Sequence, residues 1–232
     1  MMVQGIKQKM AAALLTLTVA FAAAGCGGGQ PAAPSGAAAG GSAKIGVVSY
    51  LTGGGAAYGE AIRQGLELAR DEINAKGKVK IELVFEDSKG EKNEAINATN
   101  KLIHKDNVVA IIGPTLSGEM FAAGPIAGQA GVPIMGTSTT AEGITEISEF
   151  VFRNSLPESI ALPSAVKNAK EKFGLKKVAL MYSNNNDFSV SGFKTFEQAI
   201  KNNGMEIVTV ETFADKDTDF SAQMTKIASL KP

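Results

Sequence analysis

The chain has 232 residues with 23 Lys and Arg against 23 Asp and Glu, a formal net charge of zero, and it contains one His, one Cys and no Trp. At 44% hydrophobic and 20% charged, it has the balance of a chain that folds around a core as one large or two small domains, not of a disordered one. The neutral balance excludes a nucleic-acid partner held by phosphate neutralisation, the single cysteine an internal disulfide framework, and one His with one Cys a zinc site of the usual kind.

At the N-terminus, Lys7 and Lys9 precede an uncharged apolar run over 10–24. This is the pattern of an export signal and is too short for a comfortable membrane span. The run ends in Ala23-Ala24-Gly25-Cys26, which resembles the lipobox of bacterial lipoproteins, with Ala23 where Leu is commoner. Residues 1–25 are expected to be removed and Cys26 to be lipidated as the new N-terminus; the alternative is an ordinary cleaved signal beside an incidental thiol. Residues 26–43 are expected to be a tether, since 27–43 hold only Gly, Ala, Pro, Ser and one Gln and no large apolar side chain that could offset the entropy of ordering. Losing the signal removes two Lys and no acid, leaving 21 basic against 23 acidic residues.

From 44 onward, short β-branched runs alternate with amphipathic stretches. The pattern predicts a buried strand over 44–51, a helix over 59–76 with Ile62, Leu66, Ala69 and Ile73 on one face, and Gly77 as its C-cap. A strand over 79–86, a helix over 91–105, a strand over 108–113, a helix over 117–130 and a strand over 132–136 complete a doubly wound α/β lobe with a parallel sheet. Residues 151–153 read as an extended connector. The rhythm then restarts: helix 159–173 ending at Gly174, strand 177–182, helix 191–203 ending at Gly204, strand 205–213 and helix 220–230. The expected division is therefore a first lobe over 44–152 and a second over 153–232. With two strands, fewer than a typical sheet has, the second lobe is expected to be incomplete.

Ligands of open α/β sheets bind beyond the carboxyl ends of the strands, and four loops lie there. The first, Thr52-Gly53-Gly54-Gly55-Ala56-Ala57-Tyr58-Gly59, fails as a dinucleotide fingerprint because Tyr58 stands where the third glycine belongs. It fails as a P-loop because Gly59 is followed by Glu60-Ala61. Tyr58 either packs over the turn or faces a cleft. In Gly113-Pro114-Thr115-Leu116-Ser117-Gly118, Ser117 either caps its helix or offers a hydroxyl to an anion at the helix N-terminus. Thr137, Ser138, Thr139 and Thr140 form a hydroxyl run. Thr139 and Glu142 fit a capping box, and the remaining hydroxyls could converge with Ser117 on one carboxylate. In Ser183-Asn184-Asn185-Asn186-Asp187-Phe188 the asparagines read as a turn and Phe188 as an aromatic wall. Catalytic chemistry is poorly supplied. His104 reads as a solvated helix-end residue, and Glu86-Asp87, which could be an acid/base or metal pair, has no third ligand spaced to help it. No enzyme, metal or cofactor is expected.

KIGVVSYLTGGGAAYGEAIRQGLELARDEINAKG, IIGPTLSGE, VPIMGTSTTAE, KKVALMYSNNNDFSVSG and DFSAQM, in this order over 44–232, resemble the leucine/isoleucine/valine-binding proteins of branched-chain amino-acid ABC transporters, which have the type I periplasmic-binding-protein fold. The resemblance implies two lobes closing through a hinge on an amino acid. Ser117 and Thr140 would hold its carboxylate, and the Ser138 carbonyl its ammonium. Thr139 belongs to the same ligand loop. Tyr58 and Phe188 would line the pocket, Phe188 standing where Tyr is usual. The family's ammonium-binding acid and a further aromatic come from beyond residue 232. The partner implied is a membrane permease, with the protein lipid-anchored on the extracytoplasmic face of the membrane. The other readings are a ligand sensor of the same fold, and a ligand that is an amide, urea or an aromatic acid.

Overall fold

The computed structural model describes residues 41–232. The expected signal 1–25, the lipidation site Cys26 and the expected tether as far as residue 40 lie outside the described residues.

The first sheet is built from β1 (Ser42–Ser49), β2 (Lys80–Asp87), β3 (Ala110–Ile112), β4 (Ile134–Gly136) and β5 (Val151–Arg153). All neighbours are parallel, in the order β2-β1-β3-β4-β5. Three helices alternate with these strands: α1 (Ala56–Ala75), α2 (Lys92–His104) and α3 (Ser117–Ala130). Because helices flank the sheet, the strand centres are apolar without alternation. Val48, Ile111 and Ile134 are buried with Leu102 of α2 and with Met120, Ala123 and Ala127 of α3.

The strand order reverses between β1, which has β2 on one side, and β3 on the other. A crevice opens at such a switch point. Gly113, at the end of β3, has φ +106°, and a Cβ there would fall 1.9 Å from the Val48 carbonyl oxygen, so only glycine lets the two strand ends approach this closely.

The second lobe contains α4 (Glu158–Phe173), β6 (Lys177–Ser183), α5 (Asp187–Asn202), β7 (Glu206–Phe213) and α6 (Ser221–Leu230). Its two strands pair in parallel, over a smaller core of Val166, Ala199, Ile200 and Met205. The Tyr182 and Phe193 rings stack at 4.3 Å.

Four elements differ from the sequence reading. The first strand starts at Ser42, inside the expected tether, because Ser42 and Ala43 continue the ladder opposite Lys80 and Ile81. The expected connector is strand β5: Val151, Phe152 and Arg153 pair with Ile134, Met135 and Gly136, so the sheet extends one residue past the expected boundary at 152. Helix α1 begins at Ala56, just after Gly55. Helix α5 begins at Asp187, four residues early, because the Asn186 side chain is its N-cap and accepts from the Ser189 N–H at 3.1 Å.

Candidate functional site

A cleft of about 1080 Å³ opens beyond the carboxyl ends of β1, β3 and β4, with the first turn of α5 and residues 214–216 on its far side. The loops that form it are tied together by hydrogen bonds. The Thr115 hydroxyl accepts the Tyr50 N–H at 3.2 Å, joining the β1 and β3 loops. Asp87 organises the β1 loop by accepting from the N–H groups of Leu51 (3.0 Å), Thr52 (3.3 Å) and Lys89 (2.9 Å) and from the Thr52 hydroxyl. Burial pushes the Asp87 carboxyl up, but these hydrogen bonds outweigh it and hold the group below its ordinary value. Its neighbour Glu86 pairs with Lys101 instead. The two acids of the sequence thus serve separate structural roles.

Ser117 is the first residue of α3, and Leu116 is the N-cap. Its hydroxyl does not cap the helix; it is 1% exposed and accepts the Ala141 N–H at 3.2 Å. With its oxygen occupied as acceptor, its proton remains available to an acceptor in the cleft. The cap is satisfied from the other direction, the Leu116 N–H donating to Glu119 Oε2 at 2.8 Å. Glu119 is buried and lines the cleft. Burial pushes its carboxyl above the ordinary range, opposed by the Ser88 hydroxyl and the Leu116 and Thr115 N–H groups and reinforced by the charge of Asp87.

Of the hydroxyl run, Ser138 and Thr140 line the cleft. Thr140 Oγ1 is buried without a hydrogen-bond partner among the described residues. Such an orphan needs an explanation, and a ligand group is one. Thr139 is not on the lining. It is 0% exposed, its Oγ1 lies 2.2 Å from where a Cβ on Gly136 would be, and its carbonyl accepts from the Ser155 hydroxyl at 3.1 Å. The chain bends at 137–138 as it leaves β4, which puts 138 and 140 on the cleft lining and packs 139 back against Gly136. The expected capping box is not formed, because no helix follows Glu142; its N–H donates to the Ser191 hydroxyl of α5 at 3.0 Å instead.

Tyr58, 65% exposed, and Phe188, 49% exposed, both line the cleft. Sequence reasoning missed Tyr50, Glu119 and the charged rim. Tyr50 ends β1 against the glycines of the first loop; in a chain with three tyrosines, its place beside that loop was the available signal. The Asn185 side-chain oxygen accepts from the Asp215 N–H at 2.9 Å, and the Asn186 amide donates to the Asp215 carboxylate at 2.7 Å, so these asparagines brace the β6 and β7 loops. Two ion pairs span the cleft, Lys92 to Asp187 at 2.5 Å and Glu91 to Lys216 at 3.6 Å. His104 lies in the last turn of α2. Among the described residues no three His, Cys, Asp or Glu side chains converge as for a metal, and no helix is long and apolar enough to cross a membrane.

A family model described as periplasmic binding protein matches residues 42–232. The Leu/Ile/Val-binding protein BraC3 of Rhizobium johnstonii is 30% identical over 198 residues, covering 81% of this chain and 52% of that protein. The branched-chain amino acid transporter substrate binding protein LivJ of Streptococcus pneumoniae, solved in complex with isoleucine, is 37% identical with a TM-score of 0.75, covering 81% of this chain and 54% of that one. An ABC transporter solute binding protein from R. palustris in complex with benzoate is 30% identical with a TM-score of 0.73, covering 82% and 53%. The chain spans about half the length of the curated relatives it matches.

Proposed function

The chain belongs to the periplasmic binding protein family, and from that membership we propose that it captures a small amino acid, of the branched-chain type, between its two lobes for delivery to an ABC permease. The observation that carries this reading is the convergence of two hydroxyls, Ser117 at the start of α3 and the unpaired Thr140, on one cleft. Both offer donors beside the positive end of a helix, the chemistry that selects a carboxylate. The Ser138 carbonyl is the acceptor for an ammonium, and Tyr58 and Phe188 are apolar walls for an aliphatic side chain.

No covalent chemistry is needed for such a role. Hinge closure of two lobes around a ligand is a motion of periplasmic binding proteins. Closing excludes water, so each hydrogen bond to a charged ligand group contributes about 1.5–3 kcal/mol. A few of them with the aromatic walls give an affinity of roughly micromolar or tighter, about −8 kcal/mol.

The reading includes an extracytoplasmic location, with Cys26 as the lipid anchor. It is supported by the aromatic and hydroxyl lining and by the isoleucine-bound relative; the benzoate-bound relative makes an aromatic acid the second reading. Calorimetric titration with L-leucine, L-isoleucine, L-valine and benzoate separates them. The expected result is binding of at least one of the three amino acids and none of benzoate. Binding of benzoate alone would remove the ammonium subsite, and binding of none would overturn the proposal. Co-purification of a permease from the producing membrane tests the delivery step.

A further inference from the structure

Glu158 opens α4, is 7% exposed and does not reach the cleft lining. It is nevertheless bonded to the loop that does. Its N–H donates to the Thr140 carbonyl at 3.1 Å, and its carboxylate lies against the first turns of α5, beside Gly192. Ser191 Oγ of α5 accepts the Glu142 N–H at 3.0 Å. Residues 140 and 142 are thus each held from the second lobe, and between them the Ala141 N–H holds the Ser117 hydroxyl.

The packing is built around this arrangement. A Cβ on Gly192 would lie 2.7 Å from Glu158 Oε1, so glycine leaves the carboxylate its place beside Ser191. Oε2 is buried with no partner among the described residues. Burial pushes the Glu158 carboxyl above its ordinary range, and the Ser191 hydroxyl pulls it back. An acid in the first turn of a helix is favourable when solvated, but a buried one with an unpartnered oxygen carries a desolvation cost that the helix alone does not explain. Among the described residues no charged group on the surrounding elements pairs with Glu158. Arg153 donates to the Ala141 carbonyl at 2.8 Å, Asp187 pairs with Lys92, and Lys194 and Glu142 line a second pocket of about 310 Å³.

We infer that Ser191 is a positioning residue for ligand binding: together with the Glu158 N–H it fastens the turn at 140–142, and through it Thr140 and Ser117, to the second lobe. Its ligand arm rests on the amino-acid reading of the cleft; the fastening itself does not.

The test uses the full chain and the variants Ser191→Ala, Ser191→Thr and Ser191→Cys. Hydrogen exchange at the Glu142 amide reads the fastening without ligand, because a local opening there shows as lost protection. Ser191→Ala is expected to lower the protection of Glu142 by about tenfold or more while the β6 amides are unchanged. The same variant weakens L-leucine binding by about tenfold, the loss of one ordinary hydrogen bond. Ser191→Thr, which keeps the hydroxyl, restores both. Should Ser191→Ala not fold, Ser191→Cys decides alone: its thiol is a weaker acceptor, and Glu142 protection is expected to fall below that of the wild type and of Ser191→Thr. Unchanged Glu142 protection in Ser191→Ala, or weakened binding with that protection intact, overturns the inference. If wild type does not bind L-leucine while Glu142 responds as expected, the amino-acid reading fails and the fastening stands.

Discussion

Replacing Ser117 by Ala acts twice, and the two effects can be measured apart. The first is on the protein itself. The hydroxyl accepts the N–H of Ala141, a residue with no exposed surface, so its removal strands a buried donor at a cost of about 1–3 kcal/mol. Urea denaturation without ligand reads that loss. The second effect is on the ligand: the proton that Ser117 offers a carboxylate is a charge-assisted bond of about 1.5–3 kcal/mol, which is about ten- to a hundredfold in Kd. Linkage turns this into a stability difference. At a leucine concentration about a thousand times the wild-type Kd, wild type gains about 4.1 kcal/mol from ligand. A variant with Kd about a hundredfold weaker gains only about 1.4 kcal/mol. Loss of intrinsic stability with an undiminished ligand increment would refute the carboxylate role and leave Ser117 as a brace for the loop.

Glu119→Gln tests the buried acid beside that hydroxyl. Its folded-state pKa is raised, so its contribution to stability is complete below the unfolded-state pKa and lost as pH rises through the folded-state one. The wild type should lose stability over that window and the variant should not; parallel curves of Tm against pH would contradict the burial argument. Cys26→Ser is expected to release the protein from the membrane fraction and abolish incorporation of labelled fatty acid, and retention of both would exclude Cys26 as the anchor.

Much of the fold was legible because its signals are local. The helix over 117–130 agrees to the residue, since its apolar positions are bounded by Ser117 and Gly131, and most strands fall within two residues of their expected ends. Strand β5 was not legible. Three residues carry no period, and Val151 is a strand residue because Ile134 lies beside it, which is tertiary information. The start of α5 was missed because Asn186 has the same composition signal as a turn asparagine; only its bond to Ser189 makes it a cap.

The site divides in the same way. Ser117, Ser138, Thr140, Tyr58 and Phe188 were singled out from their place after strands, and all five line one cleft. Thr139 was grouped with its neighbours because a run of hydroxyls in a sequence does not say which way each points. Ser191 gave no signal at all: forty-nine positions from Glu142, it is an ordinary helix residue until the second lobe folds.

The cross-cleft ion pairs lead to a different kind of consequence. Glu91 and Lys92 are adjacent and opposite in sign, and they meet Lys216 and Asp187 from the other lobe. Exposed pairs of this kind are worth about 0–1 kcal/mol, too little to decide whether the lobes close. In the closure proposed above, their alternation would favour this alignment, since a docking displaced so that Glu91 met Asp187, or Lys92 met Lys216, would set like charges together and forfeit both pairs. The bias is small and exposed, so added salt is expected to weaken it.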